Sequence, residues 1–274
     1  MQTHTPRLLT TPDGTRIAYR DHAPRAPTPT GSSPFLLLHG LAGHQGEWTD
    51  LASRLPADGH RVVTYDARGH GESTRRPAAT TRDSHVRDAV TLIETLALAP
   101  VTLVGQSLGG HTAMLLTSAR PDLVKSLILV EAGPGGPNPD LPTHIAAWLD
   151  SWPAPFPSLD AARRFLGHQA WAEGLEKRED GRHPRFDRDV MIETISPLAT
   201  TAYWEEWSRI TRPTLLVTGE NGTMRDGEPA EMLARRPDLR HTLIAEAGHD
   251  VHLDQPGKLY AAVTAFLKTD NRAL

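Results

Sequence analysis

Residues 101–120 read VTLVGQSLGGHTAMLLTSAR. In this stretch Ser107 stands between Gly105 and Gly109, directly after an apolar run and directly before a helix-forming one. The spacing has a steric cause. A residue at the tip of a very tight strand-to-helix turn is strained, and its neighbours two places away on either side are pushed together. Glycine at both places removes the Cβ atoms that would collide. The turn lifts the serine hydroxyl clear of the sheet, at a helix N-terminus whose free backbone N–H groups can meet an anion. A serine held this way could attack a carbonyl, provided that a base lies within hydrogen-bond reach and a third group orients the base. A serine helix cap with glycines around it would use the same letters. The strand before it and the helix after it favour the nucleophile.

The elements that would position such a serine follow from periodicity. Strand candidates are Phe35–His39, Arg61–Asp66, Val101–Gly105, Ser126–Glu131, Thr214–Gly219 and His241–Ala245. Between the second and third, Val86, Ala89, Val90, Ile93 and Leu96 make a one-faced helical stripe. Leu259, Ala262, Val263, Phe266 and Leu267 make another, with Asp254 and Pro256 as its start signals. Apolar strands alternating with helices predict an α/β fold with a parallel sheet covered on both faces. TTPDGTRIAY near the N-terminus reads as an added hairpin arm. The alternation stops between Gly133 and Arg212, where helical stretches without a clear strand carry five of the six tryptophans. An unstructured loop of that length is disfavoured. The region is therefore expected to be a helical cap at 133–212, inserted between core segments 1–132 and 213–274. Any single tryptophan is expected to pack the cap rather than to line a pocket.

Composition narrows the function. Net charge is −4 with 23% charged residues and no long block of one sign. A nucleic-acid or anionic-membrane partner would want a basic stripe. The apolar runs are far too short to span a bilayer, and the first twenty residues lack a signal-peptide core, so a cytoplasmic protein is expected. With no cysteine there is no thiolate nucleophile and no Cys-based zinc site. The histidines show no H-x-x-x-H or H-E-x-x-H pattern, so no metal is expected.

Four motifs in order, LLLHGLAGH (36–44), YDARGHGES (65–73), GQSLGG (105–110) and AGHDVHLDQP (247–256), make the chain resemble α/β-hydrolase-fold enzymes over nearly all of its length outside the cap. The resemblance implies a mostly parallel eight-stranded sheet with helices on both faces, a serine nucleophile on the elbow and an inserted helical cap after the sixth strand. It also implies a general base in the loop before the last helix, which here is His249. His252 and His111 are the alternatives. His39 is expected to shape its loop, and His44 to flank it. Two backbone N–H groups should form the oxyanion hole, those of Leu108 and Leu41, with Gly40 as the neighbour of the second. Asp66 sits in a loop that is structural in the family.

The acid departs from the common pattern of the family. Its usual place is three residues past Gly219, and Gly222 stands there. Glu131, at the end of the earlier strand, matches the acid position of haloalkane-dehalogenase-like and zearalenone-lactonase-like members. Glu220 and Asp226 lie in the usual loop, out of register. A serine at the elbow argues against dehalogenase and epoxide hydrolase chemistry, which in this fold use aspartate there. The expectation is a serine hydrolase without cofactor, acting on a small apolar or aromatic ester or lactone. A C–C bond hydrolase of meta-cleavage type and a ligand receptor with little turnover are the other readings, and oligomeric state is left open.

Overall fold

The computed structural model describes residues 6–270. Residues 1–5 and 271–274, the ends of the two core segments, lie outside the described residues. The strands are β1 (Arg7–Thr10), β2 (Arg16–His22), β3 (Phe35–Leu38), β4 (Val62–Tyr65), β5 (Val101–Gln106), β6 (Val124–Val130), β7 (Glu176–Arg178), β8 (Gly181–His183), β9 (Thr214–Gly219) and β10 (Arg240–Ile244). Eight of them form one sheet in the order β1-β2-β4-β3-β5-β6-β9-β10. β1 and β2 are the predicted hairpin, and β2 runs antiparallel to β4. The other pairings are parallel. This is the mostly parallel eight-stranded sheet of the α/β-hydrolase fold.

The helices of the core are α1 (Thr49–Ala57), α2 (Arg82–Thr95) and α3 (Ser107–Ala119). Six more follow β6: α4 (Leu141–Asp150), α5 (Leu159–Leu166), α6 (Gln169–Glu173), α7 (Arg188–Ile195), α8 (Pro197–Thr200) and α9 (Trp204–Arg209). The chain then returns to α10 (Glu228–Arg235), α11 (Val251–Asp254) and α12 (Pro256–Asp270). Alternating residues of one strand serve opposite faces. Leu36 and Leu38 meet the α2 stripe of Val86, Ala89 and Ile93. Phe35 and Leu37 meet Leu51 and Leu55 of α1 and Leu259, Val263 and Phe266 of α12. Every residue of β3, β4, β5 and β9 is buried, as strands covered on both faces require.

Two local expectations change. The region after β6 does contain strands, since β7 and β8 pair as a short antiparallel ribbon. Three residues per strand, none of them apolar beyond Gly181, are too few to show a period of two. Asp254 does not start the last helix. It ends α11, and its carboxylate turns back to accept the Gly248 N–H at 2.7 Å. α12 opens on Pro256 instead, whose missing N–H costs nothing at that position.

The turn between β5 and α3 is as tight as the glycines imply. Ser107 has φ of +49°, in the left-handed region that side chains disfavour. A Cβ on Gly105 would lie 2.5 Å from Gly110 Cα and 2.6 Å from the Gly109 carbonyl carbon. Those are backbone atoms on both sides and cannot yield. Gly105→Ala is therefore expected to destabilise the fold by at least about 2 kcal/mol, read as a lowered melting temperature or as loss of soluble protein.

Candidate active site

Parallel strands deliver their carboxyl ends to one edge of a sheet. Ser107 follows β5, Glu131 follows β6, the 219–227 loop follows β9 and His249 follows β10. Ser107, Glu131, Thr223 and His249 all line one cavity of about 700 Å³ at that edge. Leu41 and Leu108 line it too. Leu108 is the second residue of α3, within the first turn, whose N–H groups have no partner inside the helix.

Glu131 is 4% exposed and, like Ser107, has φ of +49°. The turn swings its carboxylate under the loop after β9. Oε1 accepts the Gly219 N–H at 2.8 Å, and Oε2 accepts the Thr223 N–H at 2.8 Å. Oε2 also lies 3.5 Å from His249 Nδ1. The glycine at the usual acid position is explained by the same contact: a Cβ on Gly222 would stand 2.1 Å from Glu131 Oε1. A side chain at 222 and a carboxylate arriving from 131 exclude each other. Glu220 points elsewhere, accepting the Glu246 N–H at 2.9 Å. Asp226 is exposed and is not among the residues that line the cavity.

Thr223 was not singled out by the sequence. Its hydroxyl is 2.8 Å from His249 Nδ1, nearer than the carboxylate. With the ring proton on Nδ1, His249 donates to Thr223 Oγ1, and the ionised carboxylate behind adds its attraction. That tautomer leaves Nε2 as the acceptor, which a base requires. Adjacency to Gly222 was the only signal that could have pointed to Thr223.

The loop histidine His39 and the two rivals, His252 and His111, have other partners. His39 accepts the Ala67 N–H at Nε2, 2.9 Å, so its Nδ1–H donates to the Gly40 carbonyl at 2.7 Å. Burial pushes it down to about 3 and keeps it neutral. His252 is buried against Trp48, with Nε2 3.3 Å from Glu47, and burial pushes it down to about 4. His111 is buried, contributes to the cavity wall and accepts from Arg82. Asp66 accepts the Gln45 and Glu72 N–H groups at 2.7 and 2.9 Å, a loop-shaping role.

The far wall of the cavity comes from the segment after β6, with Leu141, Ile145, Trp148, Trp171, Ile195 and Leu198. Trp148 and Trp171 thus line the cavity, whereas Trp152 and Trp207 are packed inside. The side chains of Leu41 and Leu108 join the apolar cluster of this segment, with Leu149, Trp152 and Val190. Among the described residues no group of histidines and carboxylates could hold a metal ion, and no helix is long and apolar enough to cross a membrane.

Residues 35–263 match the alpha/beta hydrolase family. The sn-1-specific diacylglycerol lipase ABHD11 of Mus musculus is 31% identical over 250 residues, covering 85% of this chain and 80% of that protein. The 2-(acetamidomethylene)succinate hydrolase of Mesorhizobium japonicum is 26% identical over 266 residues, covering 86% of this chain and 89% of that protein. The crystal structure of E-2-(acetamidomethylene)succinate hydrolase superposes with a TM-score of 0.84 at 22% identity, over 96% of this chain and 99% of that one.

The exclusion between Gly222 and Glu131 has a direct test. Gly222→Ala is expected to displace the carboxylate, costing about 1–3 kcal/mol of stability and at least about tenfold in hydrolytic turnover. Thermal melting and steady-state kinetics measure the two effects separately.

Proposed function

The chain belongs to the alpha/beta hydrolase family, and on that premise we propose that it cleaves a carboxylic ester or lactone of an apolar or aromatic small molecule through an acyl-enzyme on Ser107. One observation carries the reading: the Glu131 carboxylate, held by two backbone N–H groups, lies beside Nδ1 of a histidine that shares a cavity with the elbow serine. In the proposed reaction His249 Nε2 takes the proton of Ser107 Oγ as the oxygen attacks the substrate carbonyl. Glu131 and Thr223 hold the ring and steady its charged form. The N–H groups of Leu41 and Leu108 receive the oxyanion, a contribution worth about 10²–10³ in rate per donor. Collapse of the tetrahedral intermediate returns the proton to the leaving alkoxide. Water, activated by the same histidine, then releases the acid and restores the serine.

The substrate class is argued from the cavity. Its wall from residues 133–212, which we take as the cap, is largely aliphatic and aromatic. Such a wall favours apolar groups placed around a few fixed polar ones. In a lactone the alcohol and acyl parts remain joined after ring opening, so both must fit on one side of the cap at once.

Proton release at constant neutral pH, across a panel of esters and macrolactones, tests the reading. Wild-type protein is expected to release acid, and Ser107→Ala to lose at least about 10³-fold. Glu131→Gln is expected to lose about 10²–10⁴-fold. That variant sets an amide NH₂ against one of two N–H donors, at a cost in stability of about 1–3 kcal/mol, which melting would measure. Undiminished turnover in Ser107→Ala would overturn the proposal.

A further inference from the structure

Arg82 opens α2 directly behind the nucleophile and is 4% exposed. Its Nη2 donates to the Leu108 carbonyl at 3.1 Å and to the Thr112 hydroxyl. Its Nε–H donates to His111 Nδ1 at 3.3 Å, and Nη1 has no protein acceptor. Among the described residues no carboxylate pairs with it. The buried carboxylate on the same helix, Asp88, is held by Arg68 at 2.6 Å. The other titratable groups facing Arg82 are Tyr65 on β4, Tyr203 before α9, His111 on α3, and His70 and His85. Burial pushes His70 down to about 3 and His85 and His111 well below the ordinary range. It pushes both tyrosines up. All are neutral near neutral pH, so none offsets the guanidinium. Burial lowers Arg82 itself to about 10, which leaves it charged.

A buried cation without a counter-ion costs several kcal/mol of desolvation, and hydrogen bonds to two neutral acceptors and a hydroxyl do not repay a missing charge. The location gives it a use. We propose that Arg82 is a positioning residue for the oxyanion: it holds Leu108 by the carbonyl of its following peptide and sets an unpaired positive charge at the base of the turn whose Leu108 N–H faces the reacting carbonyl. The inference rests on the serine mechanism above. The substrate carbonyl is neutral and the tetrahedral intermediate carries a full negative charge, so a fixed positive potential favours the second over the first. The effect belongs in kcat and leaves KM nearly unchanged.

Two substitutions separate charge from hydrogen bonding. Arg82→Gln can keep donors to Leu108 or His111 and loses the charge, whereas Arg82→Lys keeps the charge. Arg82→Gln is expected to lower kcat about ten- to a hundredfold, with KM within about twofold. Arg82→Lys is expected to recover most of the rate. Equal losses in the two variants, or a KM that rises as far as kcat falls, would assign Arg82 a merely structural role and overturn the proposal. Should Arg82→Gln fail to fold, Tyr203→Glu places a carboxylate beside the guanidinium from a half-buried position. A matching fall in kcat then supports the proposal, and unchanged kcat overturns it. Ser107→Ala is run beside them. An inactive Ser107→Ala with a wild-type rate in Arg82→Gln sinks the Arg82 proposal alone, and an active Ser107→Ala sinks both.

Discussion

A carboxylate taken out of water stays ionised only where donors replace the solvent. In this fold that condition falls on Glu131, buried at the end of β6, and much of the cavity edge is arranged to meet it. The donors are the Gly219 and Thr223 N–H groups, from the loop after the neighbouring strand β9. That loop reaches the carboxylate because Gly222 has no side chain to hold it off. It is tied in turn to the loop after β10, with the Asn221 N–H donating to the Ala247 carbonyl at 2.8 Å, two residues before His249. The Glu131 carboxylate, the hydroxyl of Thr223 and the loop of His249 therefore form one hydrogen-bonded unit. Its geometry depends on a single buried charge being satisfied.

How much of this could be read from residues alone follows from the range of each effect. The elbow was legible because the collision that demands Gly105 is local, between that residue and Gly109 and Gly110, whereas Gly109 also makes room for the backbone of Leu38 and His39, which no local pattern shows. The sheet and both apolar stripes were legible because burial on a covered sheet leaves a period in the sequence. The proposed acid, Glu131, was legible only through a gap, a glycine where the loop after β9 usually carries a carboxylate. The space that the gap provides is a tertiary fact. Thr223 and Arg82 left no signal, since a threonine after a glycine and an arginine at a helix start are ordinary letters. The β7–β8 ribbon was hidden by its length and by its polar residues.

Histidine shows the same limit from another side. The chain has 14 of them, and residue type alone cannot rank them. Burial does the ranking. His39, His70, His85, His111 and His252 are all pushed well down by desolvation and are neutral in the interior. Neutral imidazole suits the interior, since one nitrogen accepts while the other donates, as His39 does between Ala67 and Gly40. His249 differs in place: it is partly exposed at the cavity, with Nδ1 beside the Glu131 carboxylate.

Two further histidines join the segment after β6 to the catalytic edge, both at the short helix α6. His44, in the loop that follows Leu41, accepts the Gly46 N–H at Nδ1, so its Nε2–H donates to the Ala170 carbonyl at 2.8 Å. His168, just before α6, lies 3.1 Å from one oxygen of Asp254, and the other oxygen accepts the Gly248 N–H beside His249. One end of α6 is thereby joined to the loop of the proposed oxyanion donor and also to the loop of the proposed base. The Glu131 clamp has no contact of this kind, being held by the ends of the sheet itself. A displacement of α6 must strain or break bonds that lead to Leu41 and His249, while the carboxylate stays fixed to β9. The apolar wall over the cavity and the loops of the proposed oxyanion donor and base thus share the same few contacts.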